Sequence, residues 1–124
     1  MEERIVIADL EAGIGTMLGT DAEQVDVAIV VVEPYMTAIE TGRRLIEIAR
    51  RNGIARTLVI ANKVRTAEDV ALIRTGLGGI EPDLVVPVDE EIAAADLTAV
   101  APIDRSPDSP GIRFIRELAL RLAG

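Results

Sequence analysis

Four short runs of valine, isoleucine and leucine constrain the fold of this chain most strongly. The runs are nearly continuous rather than alternating, which is typical of strands in a parallel sheet that is covered on both faces. The segments between them are long enough for the helical crossovers that parallel strands require. The predicted strands are residues 4–8, 27–32, 57–61 and 84–87.

Helical patterns separate these strands. The predicted helices are residues 37–52, 67–75, 90–95 and 111–123. Thr66 is the predicted N-cap of the second helix, and Asn52-Gly53 is a typical C-terminal stop for the first. The segment 101–110 holds three prolines and is predicted to be a loop. This order of elements predicts a single three-layer α/β domain over residues 1–124, with a mostly parallel sheet of about four strands.

Composition excludes several classes of function. The chain has no cysteine and no histidine, which excludes disulfides, zinc sites built on those ligands and histidine-based catalysis. The net charge is −8 and no basic run stands out, so we expect no nucleic-acid partner. No apolar run approaches the roughly 20 residues of a membrane span. We therefore predict a cytoplasmic protein without a membrane span.

An acidic residue and two glycines follow the first predicted strand. Asp9 stands just beyond the carboxyl end of that strand, and Gly13 and Gly15 come next. Ligands of open α/β sheets collect at this edge, and a carboxylate there offers the oxygen ligands that Mg²⁺ prefers. Glycines let a backbone approach a phosphate closely. The alternative is that Asp9 caps a turn and the glycines serve loop geometry, and the residues alone leave both open.

Two further short segments with polar residues follow the third and fourth predicted strands. The Asn62 amide, next to Lys63, offers a donor and an acceptor that can match a purine edge. Arg65 occupies the fourth position of the Asn-Lys-x-Asp pattern that guanine-specific enzymes use, so guanine selection has no support. Pro87 ends the fourth predicted strand, and Asp89 can cap the helix that follows. The alternative interpretation is structural: Asn62-Lys63 is a turn after a strand, and Asp89 is only a helix cap.

Taken together and in this order, these segments resemble the MinD/ParA-type (SIMIBI) P-loop ATPases. Within that group the likeness is closest to the carbon monoxide dehydrogenase maturation ATPases, which assist nickel insertion. The Asp-Leu-Glu-Ala-Gly run at 9–13 and the Glu33-Pro34 step are its most specific parts. The likeness covers nearly the whole chain and corresponds to about the C-terminal half of such an ATPase.

The resemblance implies a site for ATP or ADP with Mg²⁺. The implied residues are Asp9 at the magnesium ion, Gly13 at the γ-phosphate, Asn62 and Lys63 at the base, and Pro87 and Asp89 in the loop over the adenine. A metalloenzyme client is implied by the subgroup.

The chain also departs from this family. No G-x-x-x-x-G-K-[ST] phosphate loop occurs in it, and the subgroup's nickel-binding cysteine pair is missing. Gly15-Thr16 stands where the maturation ATPases often have Glu-His. We therefore expect nucleotide binding to be weak or lost in this chain alone, without hydrolysis. Because unpaired apolar strands invite association, we expect a rearranged sheet, a homo-oligomer or a partner chain that supplies the phosphate-loop strand.

Two other functions fit parts of the sequence. One is a non-catalytic interaction or regulatory module that keeps a degenerate ATPase fold. The other is an NAD-binding oxidoreductase domain, because residues 13–19 approach a glycine fingerprint and Glu33 ends the second predicted strand. Against the latter, residues 9–12 intervene between strand and glycines, and the glycine spacing differs from G-x-G-x-x-G.

Overall fold

A three-stranded parallel sheet organises the part of the chain that the computed structural model describes, residues 4–10 and 25–123. Its elements are β1 (Val27–Val32), α1 (Met36–Arg51), β2 (Arg56–Val64), α2 (Ala67–Gly76), β3 (Leu84–Pro87), α3 (Glu90–Leu97), α4 (Pro102–Arg105) and α5 (Pro110–Ala123). The strand order is β1–β2–β3, and both pairings are parallel. The predicted three-layer α/β architecture is confirmed.

One predicted strand is wrong. Residues 4–10 form neither helix nor strand, and Ile5, Val6 and Ile7 are 81–87% exposed. A strand satisfies its backbone N–H and C=O groups by pairing with a neighbour, and no described strand lies beside this run. The described sheet therefore has three strands instead of about four.

The first face of the sheet carries the larger core. Val30 and Val32 of β1 and Val59 of β2 pack there against residues of α1 and α2, including Ile39. Gly42 lets α1 approach β1 closely, because a Cβ atom at this position would lie 2.6 Å from Cγ2 of Val32. Both crossover helices therefore lie on one face, as right-handed connections in one direction require.

The second face is covered only in part by the described residues. Phe114 and Leu118 of α5 pack on Ile60 of β2 and on β3. Over β1 this face is open, so Ile29 is 42% and Val31 57% exposed. The expectation that every strand is covered on both faces is confirmed for β2. Among the described residues it is not met over β1, since α5 packs mainly on β3.

The helix boundaries follow local signals closely. The predicted Thr66 cap of α2 is confirmed as a capping box with Asp69. Asn52 ends α1 as predicted, and its N–H group donates to the Ile48 carbonyl at 3.0 Å. The segment 101–110, predicted to be a loop, contains the single turn α4, because Pro102 occupies a first-turn position that needs no N–H donor.

Charged residues form the solvent face of α1. Acidic and basic residues lie there three or four positions apart, so they can pair along the helix surface. Glu40 pairs with Arg43 at 2.9 Å and with Arg44 at 3.1 Å, and Glu47 pairs with Arg51 at 2.6 Å. These arginines are therefore engaged within the helix surface, and the described helix presents no free basic cluster.

Candidate functional site

Four of the six predicted site residues lie at the carboxyl ends of β2 and β3. Asn62 and Lys63 lie near the end of β2, Pro87 ends β3, and Asp89 follows it. Val64 of β2 pairs with Pro87, so the two strand ends are direct neighbours. A shared edge for these side chains was predicted from the parallel order, and the structure places them there.

The other two predicted residues are not placed at this edge. Asp9 is exposed and lies in the irregular segment 4–10, outside the sheet. Gly13 lies outside the described residues, as do the other glycines of the 13–19 fingerprint. Their predicted contacts with Mg²⁺ and phosphate stay predictions.

An irregularity in β2 sets the position of Asn62. The β2–β3 pairing shifts register between Ala61 and Val64, and Lys63 adopts a left-handed backbone with φ 55°. Ala61 and Val64 are both buried in the same core cluster, although regular alternation places residues three apart on opposite faces. The extra residue of this bulge therefore turns the Asn62-Lys63 step out of the regular strand pattern.

Glu33 ties the ends of β1 and β2 together. Its carboxylate accepts from the Lys63 ammonium at 2.9 Å and from the Tyr35 hydroxyl at 3.2 Å. The hydrogen bond from Lys63 to Glu33, followed by the charge of Glu33, raises the pKa of Lys63 above its ordinary value. Sequence reasoning missed this cluster, because it links side chains from two strand ends. The sequence singled out Glu33 only through the Glu33-Pro34 step of the resemblance and through its place at the end of the second predicted strand.

Asp89 joins two helix N-termini. Its Oδ1 atom accepts from the Glu91 N–H group at 3.0 Å in α3, and its Oδ2 atom accepts from the Gly111 N–H group at 2.9 Å in α5. Partial burial raises the pKa of Asp89, but the nearby Ser109 hydroxyl and the hydrogen bonds from these N–H groups outweigh it, and the net pKa is lowered. The capping interpretation of Asp89 is therefore confirmed.

A shallow groove runs beside Pro87 at the same edge. Its walls are largely apolar, and Arg65 and Thr66 are the polar residues among those that line it. The lining residues are Val64, Arg65, Thr66, Ala67, Val70, Val85, Pro87 and Phe114. Such a surface suits a flat and weakly polar group such as a nucleobase.

Comparisons with known proteins identify relatives of this chain. It is 34% identical over 97 residues to the uncharacterized ATP-binding protein MJ0823 of Methanocaldococcus jannaschii, covering 76% of this chain and 37% of that protein. It is 32% identical over 102 residues to the carbon monoxide dehydrogenase accessory protein CooC of Rhodospirillum rubrum, covering 82% and 39%. The similarity to CooC supports the predicted resemblance to the carbon monoxide dehydrogenase maturation ATPases.

Solved structures show the same fold. A ParA family ATPase from Chlorobium tepidum superposes with a TM-score of 0.67 at 21% identity, over 82% of this chain and 43% of that one. MinD from Aquifex aeolicus gives 0.61 at 24% identity, over 80% and 44%. The chain thus spans less than half the length of each of these four proteins. No protein-family model matches it.

Within residues 4–10 and 25–123, no three acidic side chains come together as a metal site. No described helix is both long enough and apolar enough to cross a membrane.

The left-handed backbone of Lys63 gives a prediction that separates conformation from charge. Lys63→Val and Lys63→Asn both remove the ion pair with Glu33, but only asparagine tolerates positive φ well. We expect the valine variant to be less stable than the asparagine variant by about 1–2 kcal/mol. Urea denaturation of the two variants measures this difference. Equal stability would show that the bulge is not held in the left-handed conformation.

Proposed function

We propose that this chain supplies the base-binding side of an adenine-nucleotide site in a MinD/ParA-like ATPase of the metal-centre maturation type. The observation that carries the proposal is the convergence of Asn62, Lys63, Pro87 and Asp89 at one sheet edge, beside an apolar groove. The Asn62 amide selects the base edge, and Pro87 borders the groove in which the base lies. The similarity to CooC supports this assignment.

The phosphate side of the proposed site is incomplete in this sequence. We assign Asp9 to Mg²⁺ and Gly13 to the γ-phosphate. A single exposed carboxylate fits Mg²⁺, which keeps several of its waters and needs few protein ligands. Most phosphate contacts in such enzymes come from the phosphate loop, and these 124 residues contain none. The chain alone therefore binds ATP or ADP weakly or not at all, and it does not hydrolyse ATP alone.

The proposed partners follow from what is missing. A partner chain supplies the phosphate loop, or a second copy covers the open edge of the sheet, and a metalloenzyme is the client of the assembled ATPase. The net charge of −8 and the paired arginines of α1 disfavour a nucleic-acid partner. We place the protein in the cytoplasm.

A non-catalytic interaction or regulatory module is the second candidate. The observation that favours it is the use of both Asp89 oxygens as helix caps, which is a structural role. The two candidates differ in one result, since only the first requires adenine-nucleotide binding at the carboxyl edge. The relatives named as ATP-binding favour the first candidate over the oxidoreductase alternative.

Replacing Asn62 tests the proposal. Millimolar MgADP added to the ¹⁵N-labelled chain is expected to shift the backbone resonances of Asn62, Lys63 and Asp89. Asn62→Ala weakens this binding by about tenfold, the equivalent of one hydrogen bond of about 1.4 kcal/mol.

Asn52→Ala is the matched control, because Asn52 is an exposed asparagine that ends α1 at the opposite edge of the sheet. It should leave the MgADP shifts unchanged. Shifts confined to residues away from this edge, or shifts that survive Asn62→Ala, would contradict the base-binding assignment. Shifts with NAD⁺ alone would favour the oxidoreductase alternative.

A further inference from the structure

The Asn62-Lys63 step lies beyond the last paired residues of β1 and β2. The ladder between these two strands ends at Val32 and Ala61. A side-chain contact then joins the step to the end of β1, because the Lys63 ammonium donates to the Glu33 carboxylate at 2.9 Å. This ion pair therefore fixes the β1 side of the step, where the backbone ladder no longer does.

The backbone of the step depends on such a contact. Lys63 has φ 55°, a left-handed conformation that is unfavourable for a residue with a Cβ atom and persists only where the surrounding structure fixes it. On the β3 side, the pairing of Val64 with Pro87 provides one fixed point. The ion pair provides the other, so the direction of the half-buried Asn62 amide depends on both.

The Glu33 carboxylate is itself held in place. It also accepts from the Tyr35 hydroxyl at 3.2 Å, and the Tyr35 N–H group donates to the Glu33 carbonyl at 2.9 Å. The Glu33 side chain is 31% exposed, whereas the acidic partners on the solvent face of α1, Glu40 and Glu47, are 45% and 47% exposed. Solvent and salt therefore screen the pair with Lys63 less than the pairs along that helix.

We propose that Glu33 is a positioning residue, which through its ion pair with Lys63 holds the Asn62 amide in the orientation that recognises the base. This inference rests on the proposed function and refines it, because Lys63 then acts through Asn62 and not on the phosphates of the nucleotide. The amide recognises a purine edge with one donor and one acceptor in a fixed direction. Rotation of the backbone at Lys63 misaligns both hydrogen bonds, which weaken steeply as their angles depart from linearity.

The sign of one substitution separates this role from a direct phosphate contact. Glu33→Met removes a negative charge from the edge and releases the Lys63 ammonium from its partner. If the ammonium bound the phosphates, its release would tighten the binding of MgADP, which is anionic. If the ion pair positions Asn62, the same substitution weakens MgADP binding.

The first measurement uses the ¹⁵N-labelled chain without nucleotide. Relaxation is expected to give backbone order parameters of about 0.85 at Asn62 and Lys63 in the wild type and below about 0.6 in Glu33→Met. Methionine keeps an unbranched stem of similar length and removes the acceptor. Exchanging the partners, Glu33→Lys with Lys63→Glu, should restore the order. Glu47→Met is the matched control, because it removes an ion pair of α1 away from this edge.

The second measurement is a titration with MgADP, followed through the backbone resonances at this edge. We expect Glu33→Met and Lys63→Met each to weaken MgADP binding about threefold, the scale of an exposed ion pair. In the Asn62→Ala background, Glu33→Met should cause no further loss, because the amide that it positions is already absent. Glu47→Met should leave MgADP binding unchanged.

Three results would overturn the inference. They are unchanged order parameters in Glu33→Met, tighter MgADP binding by this variant, and a loss of binding that persists in the Asn62→Ala background. The order parameters need no nucleotide, so they decide whether Glu33 holds the step whatever the titration gives. MgADP shifts that survive Asn62→Ala refute the proposed function instead, and the two failures are therefore distinguishable.

Discussion

Asp89→Ala is expected to lower the free energy of unfolding by about 3 kcal/mol. The substitution leaves the first N–H groups of both α3 and α5 without their acceptor. Loss of an N-cap typically costs about 1 kcal/mol, and a hydrogen bond to a charged group contributes about 1.5–3 kcal/mol. Urea denaturation followed by circular dichroism measures the change. A loss below about 0.5 kcal/mol would show that Asp89 does not hold these helices.

The same carboxylate gives a pH dependence with a definite sign. The pKa of Asp89 is lowered in the folded state, so its stabilisation is present above the ordinary value of 3.8 and is lost as the pH falls through the lower folded pKa. The stability difference between wild type and Asp89→Ala should therefore shrink when the pH drops below that ordinary value. Asp89→Asn is the matched control, because it keeps one acceptor oxygen and lacks the titration.

Ile39→Ala is expected to be comparably damaging or worse, at about 2–5 kcal/mol. Ile39 is among the largest fully buried side chains and packs between the sheet and α2. Its side chain also fills the space above Gly76, so truncation leaves a cavity that α2 cannot easily close. Met36→Ala is the control on the same helix, because Met36 is 63% exposed and should change stability by less than about 0.5 kcal/mol. Similar losses for both variants would contradict the assigned core.

The sequence was sufficient to predict those helices and strands whose hydrophobic runs and capping residues lie within the element itself. The bounds of β1 and β3 and the Thr66 cap of α2 agree with the sequence prediction, because hydrophobic runs and capping chemistry are short-range properties. The strand predicted at residues 4–8 was wrong because strand formation is not a short-range property. Its apolar composition is correct for a strand, but strand formation depends on a neighbour that composition does not provide.

The candidate site was likewise predictable from the sequence only in part. The parallel order was enough to predict that Asn62, Lys63, Pro87 and Asp89 share one edge. It did not predict the left-handed Lys63, whose bulge is set by pairing with β3. It also missed the Gly111 N–H group as the second partner of Asp89, since that contact spans 22 residues.

Calorimetric titration of MgATP tests the central claim most directly. The titration is run with the chain alone and with the chain mixed with the part of Rhodospirillum rubrum CooC that this chain does not match. The account predicts little or no heat for the chain alone and saturable binding in the complex, weakened by Asn62→Ala and unchanged by Asn52→Ala. Tight MgATP binding by the chain alone, or no binding in either titration, would contradict it.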